Sequence, residues 1–354
     1  MSDGPPTMAR IAELVGVSVP TVSKVLNHRE GVADHTRAII EQALADNGYS
    51  RRTRRHAPVT TIDLLLTGAD SQWGSLVFMG ADSEAQRQGI DLVATMSSDE
   101  PGSEERWLSR IIHRGSDGVV AVVTELSPTT MAVLQREGIA IVLLEPVGPP
   151  PAGVCVIAAT NWAGGLLGTE HLISLGHRRI GFISGPEREI CMADRLDGYG
   201  AALRRAGIEF DPELVRPGDS LVTGGRREGA ALLDLPDPPT AIFSCSDEQA
   251  YGVYEAARQR GLRIPQDLSV VGFDDVNLAQ WVSPQLTTVR QPVREMGMAA
   301  VRHLVDLASG AEVVSHRHEV ATTLVERAST AKAPKAPKAP KASKTPKAPK
   351  APKA

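Results

Sequence analysis

The sequence predicts an α/β protein in which a small helical N-terminal domain precedes a larger core of parallel sheets covered by helices. Two observations predict it. Short, nearly continuous apolar runs alternate with amphipathic stretches across residues 61–328, and a helix-turn-helix pattern fills the first 48 residues. A chain of 354 residues with 42% hydrophobic residues is long enough for two or three domains, each with its own core.

The strand candidates are TIDLLL, IDLVATM, GVVAVV, IAIVLLE, GVCVIAA, RIGFIS, AIFSCS and LSVVGF. Between most of them lie helical segments such as EERWLSRIIHRG, GGLLGTEHLISLG, ADRLDGYGAALRRAG and DEQAYGVYEAARQRG, several stopped by glycine. Apolar strands separated by helices indicate parallel sheets buried on both faces, and this length of repeated βα unit suits two sheets. Ligands of such sheets bind beyond the carboxyl ends of the strands, often in the crevice between two domains.

In the N-terminal segment, Met8, Ile11, Ala12 and Val15 recur at helical spacing and Gly16 supplies a tight turn. The next stretch, GVSVPTVSKVLN, carries a proline inside an otherwise helical pattern. With Ser18 as N-cap, Val19 takes the first helical position and Pro20 the second, where proline is tolerated because first-turn N–H groups lack intrahelical partners anyway. Val22, Val25 and Leu26 then face inward, and Thr21, Ser23, Lys24 and Asn27 outward. A third helix is expected from about Asp34 to Asn47, ended by Gly48. A plain three-helix bundle would fit, but a short second helix with polar outward residues behind a glycine turn is the pattern of helix-turn-helix DNA readers.

Charge is distributed unevenly. The net charge is −4, yet Ala331–Ala354 carries eight lysines and no acid, and residues 1–60 hold eight Lys/Arg against six Asp/Glu, which leaves −14 on residues 61–330. Two basic ends around an acidic middle suggest polyanion contacts at the ends. The tail has no apolar residue larger than alanine and a proline at almost every third position, so it is expected to be a disordered arm. Its lysines either add phosphate contacts or only solubilise.

Other chemistries find little support. Cys155, Cys191 and Cys245 are far apart and form no CxxC pair, and read as buried thiols in a reducing compartment. His316 and His318 share one face of an expected strand without a third ligand nearby, and read as solvated. GGLLG and TGGRREG lack the Lys-Ser/Thr of a phosphate-binding loop, no GxGxxG follows the first strand and no GxSxG occurs, so no enzyme, metal or cofactor is expected. No apolar run is long enough to span a membrane and MSDGPPTMAR is not of signal-peptide type, so a cytoplasmic, nucleoid-associated protein is expected.

TMARIAELVGVSVPTVSKVLN and GVADHTRAIIEQALADNGY together resemble the headpiece of the lactose-repressor (LacI/GalR) family of bacterial transcription regulators. The resemblance continues, in order and spacing, through HLISLGHRRIGFISGP, DRLDGYGAAL, SDEQAYGVYEAARQRG, DLSVVGFDD and SPQLTTVRQPVREMG. It implies a headpiece over 1–48, a hinge over 49–60, a periplasmic-binding-protein-like core over 61–328 and the tail over 329–354. The core's two subdomains would be about 61–160 with 291–315, and 161–290 with 316–328. It further implies a homodimer on operator DNA, and a small effector whose binding between the subdomains alters affinity for that DNA.

Carried over residue by residue, the family places Val19 and Pro20 at the base-facing start of the recognition helix, with Ser18, Thr21, Ser23, Lys24 and Asn27 as further groove or phosphate contacts. Val19 and Pro20 offer only apolar contact, which leaves Lys24 as the best hydrogen-bonding reader. In the hinge, SRRTRRHAPV puts Pro58 where many members have a leucine wedge, so Arg51, Arg52, Arg54 and Arg55 are expected to replace intercalation with phosphate or minor-groove contacts. Replacing Arg54 and Arg55 with alanine is then expected to weaken operator binding strongly; a gel shift of unchanged affinity would refute that exchange.

The family's effector positions fall on Glu145, Arg195, Ser246 and Asp275, at the ends of strands or just beyond them. Carboxylates that accept and a guanidinium that donates suit a neutral polyol, although Arg195 and Asp275 could instead pair with one another. Asp247 reads as a helix cap. Trp73, Trp162 and Trp281 follow strands and could stack on sugar rings, whereas Trp107 reads as core. The sequence thus predicts a carbohydrate-responsive repressor; the alternatives are a purine or phosphorylated corepressor, or a solute-binding protein.

Overall fold

A computed structural model describes residues 8–26, 31–47, 58–67, 71–98, 100–311 and 315–334. The first 46 residues supply three helices, α1 (Met8–Val15), α2 (Val19–Leu26) and α3 (Asp34–Asp46). Their apolar positions meet in a small core of Ile11, Ala12, Val22, Val25, Ile40 and Leu44. Gly16, at φ +66°, turns the chain between α1 and α2. The Thr21 N–H then donates to Ser18 Oγ at 3.3 Å, so Ser18 caps α2 and Pro20 sits in its first turn, as expected.

The remaining chain runs through β1 (Thr61–Leu66), α4 (Gln72–Gln88), β2 (Asp91–Met96), α5 (Ser103–Arg114), β3 (Gly118–Val122), α6 (Pro128–Arg136), β4 (Ala140–Leu144) and β5 (Cys155–Ala159). It continues with α7 (Asn161–Ser174), β6 (Ile180–Ile183), α8 (Ile190–Arg205), β7 (Val215–Arg216), α9 (Val222–Leu233), β8 (Ala241–Ser244), α10 (Asp247–Gln259) and β9 (Ser269–Asp274). Last come α11 (Leu278–Trp281), β10 (Thr287–Arg290), α12 (Val293–Ala308), β11 (Arg317–Val320) and β12 (Thr323–Val325). All eight strands expected from apolar runs are present.

Two six-stranded sheets result, ordered β11-β5-β4-β3-β1-β2 and β12-β10-β9-β8-β6-β7. The second is parallel except at one edge, where β12 pairs antiparallel with β10. The chain divides into two compact units, Met1–Pro146 with Pro150–Ile157 and Arg294–His318, and Val147–Pro149 with Ala158–Val293 and Glu319–Ala354. In the second unit Phe182, Phe243, Phe273 and Tyr199 build the heart of the core, Phe182 meeting Phe243 edge-on with centroids 5.5 Å apart.

Three helix pairs are joined in the same way. A Cβ added at Gly80 would lie 2.1 Å from the Arg294 carbonyl oxygen, and one at Gly297 2.4 Å from that of Val77, so α4 and α12 meet backbone to backbone. Gly165 and Gly198 repeat the arrangement between α7 and α8, against the carbonyls of Arg195 and Trp162. Gly225 and Gly252 repeat it between α9 and α10, against those of Gln249 and Val222. Within GGLLG, Gly165 is thus a helix-contact residue while Gly164 and Gly168 make room for the Phe273 and Phe243 rings of the sheet, and within TGGRREG Gly225 and Gly229 face α10.

Two expected boundaries move. His316 is expected in the second subdomain, but β11 joins the first sheet, with the Val156 N–H donating to the His316 carbonyl, and the first unit runs through His318. His318 is not solvated either: its ring packs 4.0 Å from that of His303. At the C-terminus, the arm is expected to begin at residue 329. Ser329 is instead fully buried, accepting from the Thr287 N–H and donating to the Val270 carbonyl. Beyond it the Ala331 N–H donates to Ser269 Oγ, and the Ala333 N–H to the Leu175 carbonyl. Satisfied backbone groups thus hold the chain on the second unit for five residues past the expected end. Residues 335–354 lie outside the described ones.

Candidate DNA-reading surface and effector site

On the headpiece, inward placement of Val22 and Val25 turns the opposite side of α2 outward. Val19 is 41% exposed, and Pro20 and Lys24 are exposed beside it. Ser23 and Thr21 are half-buried, and Thr21 Oγ1 shares a 2.7 Å hydrogen bond with Ser18 Oγ. The hydroxyls of Ser18 and Thr21 are thus engaged in starting the helix, and Lys24 supplies the positive charge on this face of α2. Asn27, Arg51, Arg52, Arg54 and Arg55 lie outside the described residues, and Pro58 is exposed.

In the second unit, polar side chains gather at the carboxyl ends of β8, β9 and β10. Asp274 and Asp275 follow one another at positive φ, +113° and +58°, an unfavourable backbone for any residue with a side chain. Arg195, 3% exposed, lies beneath them on α8. Its Nε donates to Asn161 Oδ1 at 2.9 Å, its Nη1 donates to the Cys245 carbonyl, and its guanidinium lies 3.7 Å from the centroid of the Phe273 ring.

The pairing of Arg195 with Asp275 is replaced by another. Arg195 Nη1 lies 3.9 Å from Asp274 Oδ1, while Asp275 accepts from Arg290 Nε at 2.6 Å and from Arg327 Nη2. Sequence reasoning missed Asn161, Asp274, Arg290 and Arg327. The signal present was the doubled aspartate of GFDD: two adjacent carboxylates point apart and need separate cations.

Ser246 and Asp247 exchange their expected roles in part. Ser246 is the N-cap of α10, accepting from the Gln249 N–H at 3.0 Å while donating to the Ser220 carbonyl at 2.7 Å. Asp247, expected as the cap, is fully buried in the first turn, where its carboxylate accepts from the Val276 N–H and the Thr288 hydroxyl. It is structural, as expected, but ties α10 to β10 and the end of β9. Burial, reinforced by the neighbouring Asp274 charge, holds its carboxyl well above the usual range.

In the first unit Glu145 ends β4 at φ +47° and is 4% exposed. Trp73 is half-buried in the first turn of α4, and Trp107 is buried, as expected of a core residue. A cavity of about 500 Å³ at the ends of β1, β2 and β3 is lined by Trp107, Arg106, Arg110, Thr124 and Glu125, and by neither Trp73 nor Glu145. Of the remaining tryptophans, Trp162 has the Arg205 guanidinium 5.8 Å from its ring centroid, on the flank shared by α7 and α8. Trp281, at the end of α11, is 71% exposed.

A helix-turn-helix module ahead of a core of two parallel sheets, with ionisable side chains gathered at strand ends, defines a DNA-binding regulator with a ligand-sensing core. The chain belongs to the LacI family. Residues 7–52 match the family described as bacterial regulatory proteins, lacI family, and residues 169–330 match the periplasmic binding protein-like domain. It is 31% identical to the ribose operon repressor of Escherichia coli over 327 residues, covering 91% of this chain and 99% of that one. It also resembles the solved complex of the transcriptional regulator CelR with cellobiose, with 30% identity, a TM-score of 0.71, and coverage of 92% and 99%. The lac repressor dimer bound to operator and the anti-inducer ONPF aligns with 26% identity, a TM-score of 0.69, and coverage of 93% and 100%. Among the described residues no helix is long and apolar enough to cross a membrane.

Proposed function

We propose that the protein is a dimeric repressor of carbohydrate-utilisation genes that leaves its operator when a sugar binds the core. The observation that carries this reading is the donor and acceptor set at the strand ends of the second unit. Arg195, Asp274, Asp275 and Arg290 alternate donors with acceptors, as hydroxyl-rich neutral ligands require, and Trp281, in the short α11 that follows β9, offers a largely uncovered aromatic ring. The relatives named for ribose and cellobiose support the same ligand class.

The test is a gel shift on the DNA upstream of the protein's own gene, repeated with mono- and disaccharides. Release by at least one sugar is expected; binding that no sugar alters overturns the effector reading. Trp281→Ala is the variant of choice, because so exposed a ring contributes little to the fold: it should raise the sugar dissociation constant about tenfold with no change in melting temperature. Arg195→Ala should also make the protein sugar-blind, but it strips partners from Asn161 and the Cys245 carbonyl, so it weakens the fold as well.

A further inference from the structure

The cavity in the first unit shares no residue with the strand ends of the second unit that are proposed to take the effector. Its volume of about 500 Å³ is that of a site for a small molecule, and every residue lining it falls between Leu65 and Leu126. Leu65, Met96, Trp107 and Leu126 supply apolar wall, and apart from Gly102 the rest of the lining is polar or charged.

The indole of Trp107 enters that lining with an unanswered donor. Trp107 is 3% exposed, and its Nε1 is buried with no hydrogen-bond acceptor among the described residues. A buried N–H without a partner carries its full desolvation cost, which an acceptor on a bound molecule would remove. Arg110 stands three residues further along α5, on the same side of the helix, and also lines the cavity. Among the described residues its guanidinium has no hydrogen bond or ion pair, and neither do the carboxylates of Glu105 and Glu125. The other charges of the lining are engaged: Glu100 with Arg106 at 3.4 Å, Arg106 also with the Pro101 carbonyl at 3.2 Å, and Glu104 with the Ser127 N–H at 2.9 Å. Gly102, the N-cap of α5, brings no capping side chain, so the positive end of a twelve-residue helix is presented here as well.

The groups left over define the ligand. A cation offers no acceptor to Arg110, to the indole N–H or to the helix end. An anion meets four carboxylates against two guanidinium groups. A neutral molecule with several hydroxyls accepts from the donors and donates to Glu105 and Glu125 at the same time. We propose that this cavity is a second ligand site, separate from the effector site, which takes a neutral, hydroxyl-rich molecule of the sugar or polyol type. One oxygen of that molecule accepts from Trp107 Nε1, and others bond to Arg110 and the two free carboxylates.

The chain has four tryptophans, so Trp73→Phe, Trp162→Phe and Trp281→Phe together leave a full-length protein whose fluorescence comes from Trp107 alone. Glucose, xylose, sucrose and glycerol are the probes, with inorganic phosphate, spermidine and glycine as anionic, cationic and zwitterionic controls. At least one polyol should shift the emission saturably to longer wavelength, as an indole N–H does on gaining an acceptor. Arg110→Ala and Glu125→Gln, both at exposed positions, should each raise its dissociation constant about tenfold. Calorimetry on the chain with all four tryptophans should show the same binding event weakened by the same two substitutions. The proposal is overturned if no polyol gives a saturable response, if only the charged or zwitterionic controls do, or if the two substitutions leave the response as it was. Operator release is not part of the readout, so failure here and failure of the effector reading are told apart.

Discussion

Gly165→Ala is expected to destabilise the second unit by about 3 kcal/mol or more, while Gly200→Ala in the adjoining helix leaves it unchanged or stabilises it by up to about 1 kcal/mol. Both glycines are helical, and propensity alone favours alanine at each. The difference lies in what the methyl group meets. At Gly165 it would lie 2.1 Å from the Arg195 carbonyl oxygen, and a backbone carbonyl cannot turn aside as a flexible side chain can. At Gly200 the nearest atom is Arg204 Nη1 at 3.5 Å, an ordinary approach to a mobile group. Urea denaturation of the two variants reads the difference directly; equal midpoints would show that α7 and α8 separate at little cost. Displacement of Arg195 by the same substitution also predicts reduced sugar response in whatever fraction still folds.

Asp247→Ala is expected to cost about 2–4 kcal/mol, because it leaves the Val276 N–H and the Thr288 hydroxyl buried without their acceptor. Asp247→Asn keeps an acceptor and removes the charge, and its effect should depend on pH. A carboxyl whose folded pKa is raised above the unfolded value of about 4 binds its proton more tightly in the native state. Stability from that source is full below the unfolded pKa and is lost as pH rises towards the raised folded value. Asparagine escapes the loss, so Asp247→Asn should gain on the native protein as pH increases from about 4, with no advantage below it. Thermal melts across that window test it; a difference independent of pH would show that Asp247 is ionised without penalty.

Apolar patterning made the eight principal strands legible, since a run such as GVVAV is buried at every position. The short elements escaped for a physical reason. β7 is two residues long and β10 reads TTVR, whose threonines are buried because Asp247 accepts from the Thr288 hydroxyl and the Arg327 N–H donates to that of Thr287. Asp63 sits fully buried in β1 inside a run read as apolar, and it is tolerated because Arg114 and Ser116 donate to it from the far end of α5. Those partners are more than fifty residues away, so no local pattern announces them. The helix-turn-helix was legible down to the cap, because capping is local: Ser18, Val19 and Pro20 are consecutive.

At the candidate effector site the residue types were legible and their partners were not. Arg195 and Asp275 stood out as complementary charges. Which aspartate faces which arginine depends on two successive residues at positive φ, a turn of the backbone that the letters GFDD do not specify. Ser246 illustrates the same limit from the other side: expected as a ligand contact with Asp247 as the cap, it is itself the cap, accepting from the Gln249 N–H at 3.0 Å.

Arg195 begins with its donors already engaged. For any ligand that engages this guanidinium, binding is an exchange: hydrogen bonds to Asn161 and to the Cys245 carbonyl are surrendered or shared as new ones form, and Asp275 begins with two arginines already in place. Only the difference between old and new partners appears as affinity.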